Sequence, residues 1–156
     1  MAPQLPKKTL SYALADEPKS YVLESGAVAY QWSNPIERID VIRNRVNILV
    51  IETMSELLSV PVKEVLALIG MPQTSYNKRK KENALLDVRD SEWVIVLNEL
   101  IAFGADTFGD EGAFLRWLHK PNASLGMRVP FTLLDTHTGI HEVHGALERI
   151  AYGNLS

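Results

Sequence analysis

Val62-Lys63-Glu64-Val65-Leu66-Ala67-Leu68-Ile69-Gly70-Met71-Pro72-Gln73-Thr74-Ser75-Tyr76-Asn77-Lys78-Arg79-Lys80 is the most cationic region of the chain, and it sets the expected architecture. Pro61 suits the opening of a helix, and Val65, Leu66, Leu68 and Ile69 give that helix its apolar side. Gly70 stops it, because glycine alone turns into left-handed backbone without a steric penalty. A second short helix then runs from about Pro72 to Lys81. Two short helices about a glycine turn have the length of a helix-turn-helix, with Val65, Ile69, Met71 and Tyr76 packing across the turn. The exposed side of the second helix would offer Gln73, Thr74 and Asn77 to base edges, and Lys78, Arg79, Lys80 and Lys81 to phosphates or groove walls. An alternative reading takes Asn77 to Lys81 as a solvated basic helix end, since cations favour a helix C-terminus. Two residues depart from the usual motif. Leu66 stands where a small side chain generally lets the helices approach, and Pro72 stands where a hydroxyl generally caps the second helix.

Upstream, Asn34, Pro35 and Glu37 have the spacing of a capped helix start. Ile39, Ile42, Val46, Leu49, Val50 and Met54 then recur at three- and four-residue steps, predicting one helix that ends near Leu58-Ser59. Four of the eight prolines fall in residues 1–35, which read as an irregular arm. β-prone stretches at Tyr21-Val22-Leu23 and Ala27-Val28-Ala29-Tyr30 suggest a short hairpin there, across Glu24-Ser25-Gly26. Downstream, an amphipathic helix is expected from about Arg89 to Phe108, with Trp93, Val96, Leu97, Leu100, Ile101 and Phe103 as its apolar stripe. Gly109 ends it, and Asp110 can cap the next helix, which carries Ala113, Phe114, Trp117 and Leu118. Pro121 to Pro130 is a punctuated stretch leading to a helical turn at Phe131–Leu134. Asp135 or Thr136 can cap a last helix from about Thr138, with Ile140, Val143, Leu147 and Ile150 on one face. Trp117, Leu118, Leu125, Phe131, Leu134 and Val143 would form a small core. The fold class is all-α. Its regions are an arm (1–35), a helix-turn-helix region (36–86) and a small helical C-terminal domain (87–156).

The charge is unevenly placed. Residues 61–82 hold five basic and two acidic side chains, whereas residues 83–156 hold five basic and ten acidic, within a net charge of −3. A short cationic block in an acidic chain focuses anion binding on one face and argues against a non-specific DNA coat. At 46% hydrophobic and 22% charged, the composition is that of a soluble globular protein, and no apolar run nears a membrane span. The N-terminus lacks the apolar core of a secretory signal, and the absence of cysteine excludes disulfides, thiolate metal sites and cysteine nucleophiles. A cytoplasmic protein without a membrane partner is expected. His137, His141 and His144 are spaced almost like metal ligands, but Gly139 makes it doubtful that His137 shares the helix, and only Glu142 is a nearby carboxylate. Asp106, Asp110 and Glu111 have no matching base, and Ser75 and Ser91 have no nucleophile-elbow context. No enzyme, no metal and no cofactor are expected.

Beyond Phe108 the chain reads Trp117-Leu118, Pro121-Asn122-Ala123, Leu125-Gly126, Pro130-Phe131, Leu133-Leu134-Asp135-Thr136, Gly139, Val143, Leu147, Arg149-Ile150 and Gly153. This ordered string resembles the C-terminal domain of Xre/ParS/MbcA-type antitoxins, and the likeness extends from about Ile39 to the end. Met127 departs from it, since the family often has a second glycine there. The resemblance implies a homodimer whose helix-turn-helix binds operator DNA of its own promoter. It also implies a cognate RES-domain toxin, NAD-consuming or ADP-ribosylating, covered by the C-terminal domain. By that analogy the toxin contact includes Arg149, Tyr152, Asn154, Leu155 and Ser156. Arg149 is equally open to an ordinary surface pairing. A stand-alone regulator whose C-terminal domain only dimerises, and an interaction module with a vestigial DNA face, are the alternatives.

Overall fold

Local capping accounts for most helix boundaries in the computed structural model, which describes residues 19–22 and 28–153. Among the described residues the architecture is helical apart from one antiparallel strand pair. Strand β1 (Lys19–Val22) pairs with β2 (Val28–Gln31) in the register Ser20 to Tyr30 and Val22 to Val28. The expected hairpin turn at Glu24-Ser25-Gly26 lies outside the described residues.

Helix α1 (Pro35–Asn44) begins where Asn34 Oδ1 accepts from the N–H groups of Ile36 and Glu37, at 2.9 and 3.0 Å. The single helix predicted over 35–58 is not formed. The chain breaks after Asn44, Arg45 takes a left-handed φ of 64°, and α2 (Val50–Leu58) starts afresh. The cause is a backbone pairing with a distant segment. Ile48 N–H donates to the Ala84 carbonyl at 2.9 Å, and Leu86 N–H to the Val46 carbonyl at 2.8 Å. Ser91 Oγ accepts from Val46 N–H at 3.0 Å. Extended backbone points alternate residues the same way, so Val46 and Ile48 both enter the core beside Leu86, all three fully buried. Ile39, assigned to the buried stripe, is instead exposed, because α1 buries Val41 and Ile42.

Helices α3 (Val62–Ile69) and α4 (Gln73–Lys81) flank the expected turn. Gly70 has φ 68°, and the Met71 and Gly70 N–H groups donate back to the Leu66 and Ala67 carbonyls, closing a Schellman-type end. Tyr76 and Val65 are buried as predicted, while Ile69 and Met71 are half-buried. Leu66 is buried in the core.

Helix α5 (Val88–Phe108) starts at Asp87, whose carboxylate accepts from Asp90 N–H at 2.7 Å. It packs against α1, α2, α6 (Glu111–Leu118) and α7 (His137–Ala151). Being surrounded, it buries more than one stripe: Val94 and Ile95 join Trp93, Leu97, Leu100 and Ile101, whereas Val96 and Phe103 are half-buried. Asp110 caps α6 through the N–H groups of Gly112 and Ala113, and Thr136 caps α7 through Gly139 N–H. His137 thus lies on the same helix as His141 and His144. Gly139 is there for closeness rather than flexibility, since a Cβ at this position would lie 1.7 Å from the Leu133 carbonyl oxygen. That carbonyl belongs to the 3-10 turn Pro130–Leu133.

One core spans α1 to α7. Two polar contacts stitch the C-terminal third into it. Trp93 Nε1 donates to the Leu134 carbonyl at 2.7 Å, and His119 Nε2 lies 3.0 Å from the Leu58 carbonyl, which fixes the proton on that nitrogen. Leu118, Leu134 and Val143 are fully buried, but Trp117 and Phe131, expected in the core, are half-buried. Trp117 leans on the rings of Phe108 and Phe114, and Phe131 on His119. No helix among the described residues is long and apolar enough to cross a membrane.

Candidate functional site

Helix α4 carries almost no apolar side chain besides Tyr76, so one buried residue holds a polar helix to the core. Tyr76 Oη donates to Glu52 Oε1 on α2 at 3.2 Å, and Lys80 forms an ion pair with the same carboxylate. Burial first, and the Glu52 carboxylate second, push the Tyr76 phenol up to about 12, so it stays a donor. These contacts orient the helix and leave a distinct outer face. Gln73, Thr74, Asn77, Lys78 and Lys81 are exposed on it, and Gln73 Nε2 donates to Asn77 Oδ1 at 3.0 Å. Arg79 is half-buried and close enough to Asp90 to oppose the rise in its pKa. Of the four cations read from the sequence, Lys78 and Lys81 therefore face outward, while Lys80 is paired with Glu52 and Arg79 is half-buried.

At the start of α4 the first intrahelical bond is Tyr76 N–H to the Pro72 carbonyl, at 3.1 Å. Pro72 supplies no side-chain cap. The departure noted at Pro72 thus leaves the preceding amide donors unmet by a capping side chain, the arrangement that receives an anion at a helix N-terminus.

A second surface lies at the far end of the chain. Helix α7 buries Gly139, Ile140, Val143, Ala146 and Leu147, and every described residue from Glu148 on is exposed. Ile150, read as part of the buried face, is 43% exposed, and Tyr152 is 75% exposed. The helical phase of Ile150 matches the core face, but the helix has outrun its neighbours, which periodicity alone does not reveal. Arg149, Ile150 and Tyr152 thus form a surface of one guanidinium and two large apolar groups. Asn154, Leu155 and Ser156 lie outside the described residues. Elsewhere on α7, His144 stacks on Phe103 with ring centroids 4.8 Å apart and lies 3.5 Å from Glu148, while His137 and His141 are exposed. Among the described residues no cluster of three or more His, Asp or Glu is placed to hold a metal.

Residues 104–153, from the last turns of α5 through α7, match the family described as the antitoxin Xre/MbcA/ParS C-terminal toxin-binding domain. The chain is similar to the Xre/MbcA/ParS-type antitoxins. Among its relatives is "Antitoxin Xre" of Yersinia enterocolitica, 29% identical over 119 residues, which cover 76% of this chain and 80% of that protein. Another is "Prs ADP-ribosylating antitoxin" of Sphingobium sp., 28% identical over 130 residues, covering 78% and 82%. A third, "Antitoxin Xre" of Photorhabdus laumondii, is 26% identical over 94 residues, covering 60% and 64%. The region matched to the toxin-binding domain therefore contains α6, the 3-10 turns Ala123–Leu125 and Pro130–Leu133, and the exposed end of α7. The basic helix α4 lies outside that region, on the other side of the Leu86 pairing, so the chain carries two separate candidate surfaces.

Proposed function

We propose that this chain neutralises a RES-domain toxin by direct binding through residues 87–156, with the end of α7 in the contact. The match of residues 104–153 to a toxin-binding domain carries the reading. The toxin's chemistry would be NAD consumption or ADP-ribosyl transfer, in keeping with the name of the Sphingobium relative. Arg149 suits an acidic or phosphate-binding toxin surface, and Ile150 and Tyr152 add apolar area around it. We further propose that the chain is a cytoplasmic homodimer that represses its own operon, with 36–86 as a helix-turn-helix region. Helix α4 would enter the major groove, Gln73, Thr74 and Asn77 toward base edges and Lys78 and Lys81 toward phosphates. The uncapped start of α4 and its two outward lysines support this, and Arg79 would contribute less than the sequence suggests.

The test is co-expression with the product of the adjacent gene, which this reading expects to be a RES-domain protein. Expected are a co-purifying complex, rescue of growth, and a complex weakened by the double variant R149A/Y152A. A chain that never captures that protein refutes the toxin reading, and operator binding without capture yields the stand-alone regulator instead. For the DNA face, K78A/K81A should weaken promoter binding and lower the salt slope by about 2. Unchanged affinity refutes it.

A further inference from the structure

The turn that follows α6 is tightly built. Asn122 Oδ1 accepts from Ser124 N–H at 2.8 Å and from Ser124 Oγ at 2.6 Å. Asn122 N–H donates to the Arg128 carbonyl at 3.0 Å, and Met127 N–H returns a bond to the Asn122 carbonyl at 2.8 Å. Leu125 and Pro130 on either side are buried, so the apex is pinned to the core. At that apex two successive residues are left-handed, Gly126 at φ 66° and Met127 at φ 61°. Glycine takes this conformation freely, whereas a methionine there is strained by its Cβ against the backbone.

Packing does not repay the strain at Met127, whose side chain is 65% exposed. The other described non-glycine residues with positive φ, Arg45, Ser59 and Asn83, bear exposed polar side chains; Met127 alone among the four is apolar. Strained backbone persists where surrounding structure over-determines it and tends to mark functional positions. A long, unbranched thioether adapts to an irregular apolar surface and recurs at protein-binding faces. The turn also lies within the matched toxin-binding region.

We propose that Met127 is an anchor of the toxin interface, held out by a rigid turn to fill an apolar recess of the toxin. This rests on the toxin-binding reading above and adds to it a contact well removed in sequence from the end of α7. The test compares wild type with M127G, M127A and M127L for affinity to the adjacent gene's product, the expected RES-domain protein, alongside thermal unfolding of each. Expected is a Kd raised tenfold or more in M127G and M127A, and within about threefold of wild type in M127L. The thermal midpoint of M127G should equal or exceed that of wild type, since glycine relieves the strain. Wild-type affinity in M127G and M127A overturns the anchor while the toxin-binding reading stands. Weakened binding with a lowered midpoint in M127G overturns it too, as that marks a structural role. A wild-type chain that fails to capture the RES protein overturns both.

Discussion

Replacing Gly139 by alanine pits two opposed effects against each other within one helix turn. Alanine favours helix over glycine by about 1 kcal/mol. Against this, the new Cβ would lie 1.7 Å from the Leu133 carbonyl oxygen and 2.8 Å from its carbon. An ordinary carbon–oxygen contact of about 3.3 Å requires the carbonyl and α7 to part by roughly 1.6 Å. That carbonyl cannot yield cheaply, because the next residue, Leu134, is fully buried and accepts the indole N–H of Trp93. Overpacking of this kind costs about 3 kcal/mol and the strained Trp93 bond about 1 more. Net of the helix gain, Gly139→Ala should destabilise by about 3 kcal/mol, lowering the thermal midpoint by roughly 10 °C for a chain of this size. Gly145 is the internal control. On the same helix its Cβ would meet only the Arg149 guanidinium at 3.5 Å, so Gly145→Ala should stabilise by about 0.5–1 kcal/mol. Thermal unfolding followed by circular dichroism reads both. A Gly139→Ala midpoint within about 2 °C of wild type, or shifts of the same sign in both variants, would refute the reasoning.

Asp90 gives a prediction in pH. Burial raises its pKa above the ordinary 3.8, the neighbouring Asp87 carboxylate adds to the rise, and Arg89 opposes it. A folded-state pKa above the unfolded one means the folded chain holds the proton longer, so stability from this group is lost as pH rises through the window above 3.8. Asp90→Asn removes that loss, and its urea midpoint should gain on wild type between about pH 4 and pH 7. A gap that narrows with rising pH contradicts the assignment. Arg38 on α1 donates to both carboxylate oxygens of Glu99 on α5, from Nε at 2.5 Å and Nη2 at 3.1 Å, in a half-buried site. A double-mutant cycle with R38A and E99A should return a coupling of about 1 kcal/mol, reduced by salt, and a coupling of zero would mean the pair only decorates the surface.

What the sequence discloses is largely what is settled within one helix turn. The caps at Asn34, Asp110 and Thr136 and the stops at Gly70 and Gly109 lie where their residue types place them, because cap and partner are two or three residues apart. The break at Arg45–Leu49 was invisible for the opposite reason. Its hydrogen-bond partners, Ala84, Leu86 and Ser91, lie far along the chain, and the apolar spacing through Val46 fits a helix as well as an extended segment. Ile39 and Ile150 keep the phase of a buried face at places where no neighbour covers them. On α4, residue types named the basic face, but only the fold separates Lys78 and Lys81 from Lys80 and Arg79. Met127 was noticeable as a missing glycine, though not as a displayed side chain.

The bonds from Trp93 to Leu134 and from His119 to Leu58 have a consequence for how such a chain can be removed. They tie the region matched to the toxin-binding domain to α5 and α2 across one continuous core, so an opening that breaches this core would loosen both candidate surfaces. A protease that traps the opened chain would erase the grip on the toxin and the proposed hold on the promoter in one event. If the proposed function holds, release of the toxin and renewed transcription of its operon would then follow from the same cut.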